Sequence, residues 1–201
     1  MARKLYNHMI EGVVPQKVIS LLKEEDCFLA GGCLRSIINN EPISDYDLFY
    51  KSEEQAKEAA WKFMHNNEGT IKMNRNAISI WFPEKTKVEK LQFISGHVFD
   101  SPQDILDGFD FTVCGAVFNY DQNIPHITVH PEFYKDTLFK NLVYVGAGTR
   151  SCPVASLYRT YKYRDRGYKI TQSEMLSIVE EINRRALEVG DIFELGRMYW
   201  D

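Results

Sequence analysis

The chain has 201 residues, 44% of them hydrophobic, which is enough to bury a core as one large domain or one domain with a small appendage. Its 24 Lys and Arg against 28 Asp and Glu give a formal net charge of −4, which argues against a protein coated in nucleic acid while leaving room for a local basic groove. The four cysteines, Cys27, Cys33, Cys114 and Cys152, have neither metal spacing nor a disulfide framework and read as buried free thiols of a reducing cytosol. No apolar run approaches a membrane span, and no signal-peptide or repeat pattern is evident.

Met1–Asp26 carries an amphipathic helical pattern, with Val18, Ile19, Leu21 and Leu22 as its apolar stripe and Pro15 at a first helical turn. The stretch that follows, Cys27–Tyr50 (CFLAGGCLRSIINNEPISDYDLFY), carries the chemistry. It predicts a strand over Cys27–Ala30, a tight Gly31-Gly32 turn, a helix over Cys33–Asn39, a polar loop and a second strand from Asp45. Strand side chains alternate, so Asp45 and Asp47 share one face, and Tyr46, Leu48 and Tyr50 share the other. Two carboxylates on one face call for a positive partner, and a hard divalent cation such as Mg²⁺ takes oxygen ligands. The glycine turn and the helix start after it offer close backbone approach and unpaired N–H groups to an anion.

Downstream, Ser52 and Gln55 form a capping pattern for a helix ending near Asn66, with Ala56, Ala59, Ala60 and Phe63 inward. Two strands are expected next, near Ile71–Phe82 and over Val88–Ile94, and a short helix starts at Ser101-Pro102. Phe111–Phe118 reads as a strand, Asn119–Pro125 as a turn region and Ile127–Val129 as a short strand. His126 and His130 flank that last segment and, with no third ligand, read as turn or surface histidines. Pro131–Lys140 is a short helix. The apolar piece Leu142–Val145 ends at a glycine hinge, Gly146-Ala147-Gly148. A helix over Pro153–Arg166 interleaves Arg159, Lys162, Arg164 and Arg166 with Tyr158, Tyr161 and Tyr163, a mixture suited to backbone charge and base stacking as well as to a solvated basic face. Thr171–Gly190 is an amphipathic helix with Met175, Ile178, Val179, Ile182 and Ala186 inward, and Asp191–Asp201 a last short helix containing Trp200.

GGCLRS followed by DYDL resembles the head domain of the DNA polymerase β-like nucleotidyltransferases. The likeness is greatest to the branch of CCA-adding enzymes and bacterial poly(A) polymerases, whose pattern is GGxxRD, then DxDL. FDFTVCGAVFNY at Phe109–Tyr120 is similar to that branch's RRDFTxNAxxY, and DTLFKNLVYVG at Asp136–Gly146 resembles its DLxxKxIRxVG. The departures are Ser36 for the Asp of GGxxRD, Gly108-Phe109 for Arg-Arg, Cys114 for Asn, and the lack of the Glu-Asp-x-x-Arg that reads the base.

The resemblance implies an α+β fold: a small mixed sheet with helices on one side over residues 1–148, then a helical C-terminal region over 149–201. It implies transfer of a nucleoside monophosphate from a nucleoside triphosphate, such as ATP, to a hydroxyl acceptor, with an RNA 3′ end as the expected acceptor and pyrophosphate as the product. Asp45 and Asp47 would be the catalytic residues and would hold Mg²⁺ (or Mn²⁺). Gly31, Gly32, Arg35, Asp110, Arg159 and Lys162 would contact the nucleotide. A third carboxylate often lies on the strand beside the DxD strand in this fold. Here that strand supplies Glu89 and Gln92, on opposite faces, and Asp110 is the other candidate. Two alternatives stay open: a nucleotide- or RNA-binding module without catalysis, and a toxin-like enzyme that nucleotidylates protein or tRNA.

Overall fold

A computed structural model describes residues 2–83, 90–146 and 152–185. The chain forms two compact units, Met1–Leu106 with Ala116–Val129, and Asp107–Gly115 with His130–Asp201. The boundary expected between residues 148 and 149 lies outside the described residues, as do Glu89, most of the glycine hinge, Ala186 and the last expected helix.

The first unit contains α1 (Ala2–Val13), α2 (Gln16–Glu24), β1 (Phe28–Ala30), α3 (Gly32–Asn39), β2 (Tyr46–Phe49), α4 (Glu53–His65), β3 (Thr70–Met73), β4 (Ala77–Trp81), β5 (Lys90–Ile94), α5 (Pro102–Leu106), β6 (Ala116–Asp121) and β7 (Ile124–Val129). The strands form one sheet in the order β3-β4-β5-β2-β1-β6-β7. Every pairing is antiparallel except β2 with β5. The fold is therefore α+β with a mixed sheet, as the sequence implies.

Local chemistry sets the element ends. Pro15 precedes α2, and its carbonyl accepts from the N–H groups of Val18 and Ile19 at 2.9 and 3.1 Å. Ser52 Oγ accepts from the Gln55 N–H at 3.0 Å and opens α4. That helix buries Ala56, Ala59, Ala60 and Phe63. Phe63 meets Phe93 of β5 at 5.9 Å between ring centroids, and Phe93 stacks on Tyr50 at 6.0 Å. Tyr46, Leu48 and Tyr50 are all buried, as the alternation requires.

Three expectations over this region are corrected. Ile71–Phe82 is a hairpin, β3 and β4, rather than one strand, because Asn74 Oδ1 accepts from the N–H groups of Asn76 and Ala77 at 2.8 Å and turns the chain. The turn expected over Asn119–Pro125 is only Gln122-Asn123, both with positive φ, and β6 and β7 pair right up to it through Asp121 and Ile124. The strand expected over Phe111–Phe118 begins only at Ala116. Before it, Thr112–Cys114 is one turn of 3-10 helix, closed by Gly115 N–H to Thr112 O at 3.0 Å and anchored by Thr112 Oγ1 donating to Asp136 Oδ2 at 2.8 Å.

The second unit contains that turn, α6 (Phe133–Phe139), α7 (Pro153–Asp165) and α8 (Gln172–Arg184). Its core gathers Phe111, Val113, Cys114, Leu142, Tyr163, Tyr168 and Ile178. Thr171 caps α8 by accepting from the Glu174 N–H at 3.3 Å. Ile178 is fully buried as expected, but Val179 is 48% exposed, because the inward stripe runs through Met175, Ile178 and Ile182 and leaves Val179 at its margin.

Candidate active site on the sheet

Asp47 lies on β2 and Asp45 one residue before it, and both are half-buried on the face opposite Tyr46, Leu48 and Tyr50. The neighbouring strands place specific partners beside them. On β5, Gln92 is in register with Asp47, and on β4, Ser79 is in register with Gln92. On the other side Asp47 is in register with Ala30 of β1. One row across four strands therefore reads Ser79, Gln92, Asp47, Ala30, and Gln92 Nε2 donates to Ser79 Oγ at 3.0 Å. A second row lies beside it. Trp81 is in register with Lys90, and Lys90 Nζ reaches Asp45 Oδ2 at 3.1 Å. Ser44 Oγ also donates to Asp45 Oδ1, at 2.9 Å. Neither Lys90 nor its partnership with Asp45 was anticipated. The pairing follows from the parallel register of two strands more than forty residues apart, which no local pattern encodes. Gln92 occupies the position beside Asp47 at which a third carboxylate was sought.

β1 runs from Ala30 straight into the glycine turn. Gly31 has φ 84° and ψ −139°, a conformation open to glycine, and its N–H donates to Ala116 O at 3.1 Å. Gly32 begins α3, and the room left by its missing side chain is taken by Arg35. A Cβ there would lie 3.2 Å from an Arg35 terminal nitrogen. Arg35 itself is buried, folded back over the first turn of its own helix. Cys33, on the same turn, is also buried. Burial, and then the charges of Asp47 and Asp45, push its thiol well above the ordinary range. Ser36, where the resembled pattern has Asp, is buried too.

The remaining expected site residues belong to the second unit. Asp110 is wholly buried and pairs with Arg159 of α7 at 2.7 Å, so these two expected nucleotide contacts hold each other. Lys162, one turn on, is exposed, as are Tyr158 and Tyr161, while Tyr163 is in the core and meets Cys114 Sγ at 2.7 Å through its hydroxyl. The DTLFKNLVYVG stretch acts structurally. Asp136 receives the Thr112 hydroxyl, and Lys140 Nζ donates to Arg166 O at 2.9 Å, capping the end of α7. His130 Nδ1 accepts from the Glu132 N–H at 3.2 Å, and His126 is exposed on β7.

The Gabija anti-defense 2 family matches this sequence over residues 2–140. The chain belongs to that family. A Gabija anti-defense 2 protein of Bacillus phage SPbetaL7 is 27% identical over 179 residues, covering 88% of this chain and 41% of that relative, so the chain spans less than half the length of the curated family member it matches. Among solved structures, this Gabija anti-defense 2 family chain is similar to a CCA-adding enzyme in complex with ATP, with a TM-score of 0.66 at 14% identity, covering 93% of this chain and 48% of that one. It is similar to a tRNA-processing enzyme in an apo form, with a TM-score of 0.61 at 16% identity, covering 92% and 57%. A Thermotoga maritima CCA-adding enzyme complexed with tRNA gives a TM-score of 0.61 at 14% identity, covering 88% and 45%. These likenesses show that this Gabija anti-defense 2 family member shares the fold of those CCA-adding and tRNA-processing enzymes.

That fold implies a divalent metal, and the donor set can be tested against it. Among the described residues no group of three His, Cys, Asp or Glu side chains is placed to share an ion. Asp45 and Asp47 nevertheless offer two hard carboxylates on one face, with the neutral amide of Gln92 beside Asp47. Mg²⁺ is commonly bound through one or two carboxylates, with waters and substrate phosphates completing its shell. The residues of this Gabija anti-defense 2 family chain fit such an ion.

Proposed function

We propose that the chain transfers a nucleoside monophosphate from a nucleoside triphosphate to a hydroxyl acceptor, releasing pyrophosphate, and that this transfer serves an anti-defence role like that named for its phage relative. The observation that carries the reading is the placement of Asp45 and Asp47, both half-buried, on one sheet face, at the start of the strand next to the one that ends in the Gly31-Gly32 turn. The two carboxylates would hold Mg²⁺, which supplies charge neutralisation on the triphosphate and lowers the cost of deprotonating the acceptor. The Gly31-Gly32 backbone and the start of α3 receive the phosphates, with Arg35 fixing the shape of that turn. Within the second unit, Asp110 holds Arg159, and Arg159 and Lys162 are cations of one helix. Exposed Tyr158 and Tyr161 beside Lys162 suit a stacked, single-stranded RNA 3′ end as acceptor.

A second reading is a nucleotide-binding module without catalysis. Lys90 on Asp45 and the neutral Gln92 beside Asp47 favour it. Incubation with each labelled nucleoside triphosphate, Mg²⁺ or Mn²⁺, RNA and host protein separates the two. Label entering RNA with wild type and lost with Asp45→Ala/Asp47→Ala supports the transferase with an RNA acceptor. Label entering protein keeps the chemistry and replaces the acceptor. Nucleotide binding with no label moved in any combination overturns the transferase reading.

A further inference from the structure

The sheet face that carries Asp45 and Asp47 continues outward across β5 and β4 to the edge strand β3, and its side chains change character on the way. We propose that this stretch is a track for the single-stranded end of an RNA acceptor, with Trp81 stacking a base and Lys90 and Lys72 meeting backbone phosphates. This rests on the nucleotidyl-transfer reading of the same face.

Strand pairing fixes the order of the residues. Lys90 Nζ lies 3.1 Å from Asp45 Oδ2, Trp81 is the cross-strand partner of Lys90, and Thr70 is the partner of Trp81. One row therefore reads Asp45, Lys90, Trp81, Thr70. The row beside it reads Asp47, Gln92, Ser79, Lys72. Members of the two rows stand two apart along each strand, so both rows project from one face. Tyr50 and Phe93 project from the other, where Phe63 of α4 packs on Phe93. Neighbouring strands are spaced by about 4.8 Å, so the track runs about 14 Å from β2 to β3.

The chemistry along the rows suits a single strand of nucleic acid. Trp81 is partly exposed at the end of β4, and Lys90 Nζ lies 6.0 Å from its ring centroid, so an aromatic face and a cation stand side by side. An ammonium has three N–H donors and can hold Asp45 and a phosphate together. On the edge strand Thr70 and Lys72 are exposed and add a hydroxyl and a second cation. Beyond the two aspartates neither row contains an acid, although the chain as a whole has a net charge of −4. Stacking on an aromatic ring and charge contact with phosphate are both tolerant of sequence, so the track takes an RNA end without reading its bases. These contacts lie in the same unit as the carboxylates and are separate from the tyrosines of α7.

The test reads RNA contact apart from turnover. The full chain is irradiated with a single-stranded oligoribonucleotide that carries 4-thiouridine at its 3′ end, and the cross-linked peptide is found by mass spectrometry. The expected cross-link falls on the peptide containing Trp81, and a cross-link found only elsewhere overturns the proposal. Anisotropy of a fluorescein-labelled oligoribonucleotide then gives affinities. Trp81→Phe keeps a ring and should bind within about threefold of wild type, whereas Trp81→Leu keeps the bulk and should bind about tenfold more weakly. Lys72→Gln should lower the slope of log affinity against log salt by about 0.7. Equal binding by wild type and Trp81→Leu overturns the track. Nucleotide transfer from a labelled nucleoside triphosphate is measured in parallel. RNA extended equally well by wild type and Trp81→Leu overturns the track alone. RNA cross-linked at Trp81 but extended under no condition overturns the nucleotidyl-transfer reading and leaves Trp81 as an RNA contact. Label that enters protein, with no oligoribonucleotide bound, overturns the RNA track and keeps the transfer chemistry.

Discussion

Asp110 and Arg159 form an ion pair at 2.7 Å in which the carboxylate is wholly buried and the guanidinium is about one-third exposed. The asymmetry decides which partner is costlier to remove. Arg159 left alone regains water, whereas Asp110 left alone is a buried charge without its counter-ion. Arg159→Ala should therefore destabilise the fold by about 3 kcal/mol, and Asp110→Asn by about 1 kcal/mol. Urea unfolding of the two variants checks the order, and equal costs would show that the carboxylate has other support.

Asp47→Asn keeps the shape of the side chain and its place beside Gln92 while removing the charge. Label transfer should fall about a hundredfold or more, with unfolding free energy changed by less than about 1 kcal/mol. Paired activity and denaturation curves read both. A loss of transfer that tracks a loss of folded protein would assign Asp47 a structural role only.

The glycine turn separates backbone strain from side-chain crowding. Gly31 sits at φ 84°, so Gly31→Ala should cost about 1–3 kcal/mol through conformation alone. Gly32 has ordinary helical backbone, and Gly32→Ala presses instead on the Arg35 guanidinium at 3.2 Å. Its effect should be smaller on stability and visible as a changed Arg35 environment, for instance in the side-chain Nε–H resonance.

Cys27 and Cys33 give a pH dependence with a definite sign. Burial pushes the Cys27 thiol from 9.0 up to about 12, and that of Cys33 in the same direction. The folded state holds both as neutral thiols, so their contribution is complete below pH 9, where the unfolded thiols are also protonated. Above that the unfolded chain ionises first, and stability should fall as pH rises from 9 towards 12. Urea midpoints measured between pH 7 and 10.5 should bend downward above 9, and Cys27→Ala/Cys33→Ala should flatten the bend. Iodoacetamide should label these thiols slowly in the native chain and promptly in urea.

The parts of the site readable from sequence are those encoded within a few residues. The alternation of Asp45 and Asp47 against Tyr46, Leu48 and Tyr50 survives intact, because period two is a property of the strand itself. The Ser52 cap and the inward face of α4 are equally local. What escaped depends on partners distant in the chain. Lys90 on Asp45, Gln92 beside Asp47, and Arg159 on Asp110 each need a tertiary register or docking to bring them together. The false strand over Phe111–Phe118 has the same origin. Its apolar run looks continuous, but Thr112 is pulled aside by Asp136, and the chain passes from one compact unit to the other between Gly115 and Ala116. The β3–β4 hairpin was hidden less well, since Asn74 and Asn76 were a turn signal in plain view.

The return of Ala116–Val129 to the first unit governs how the chain can be made. β1 is paired with β2 early in synthesis, yet its other edge is satisfied only by β6, which leaves the ribosome more than eighty residues later. For that interval a fully buried apolar strand presents an open row of amide and carbonyl groups, the kind of edge that recruits foreign strands. Nor can the first unit be cut out as one segment. A fragment ending at Leu106 lacks the hairpin that completes the sheet, so soluble expression of the first unit requires carrying through Val129 or splicing the hairpin back by a linker.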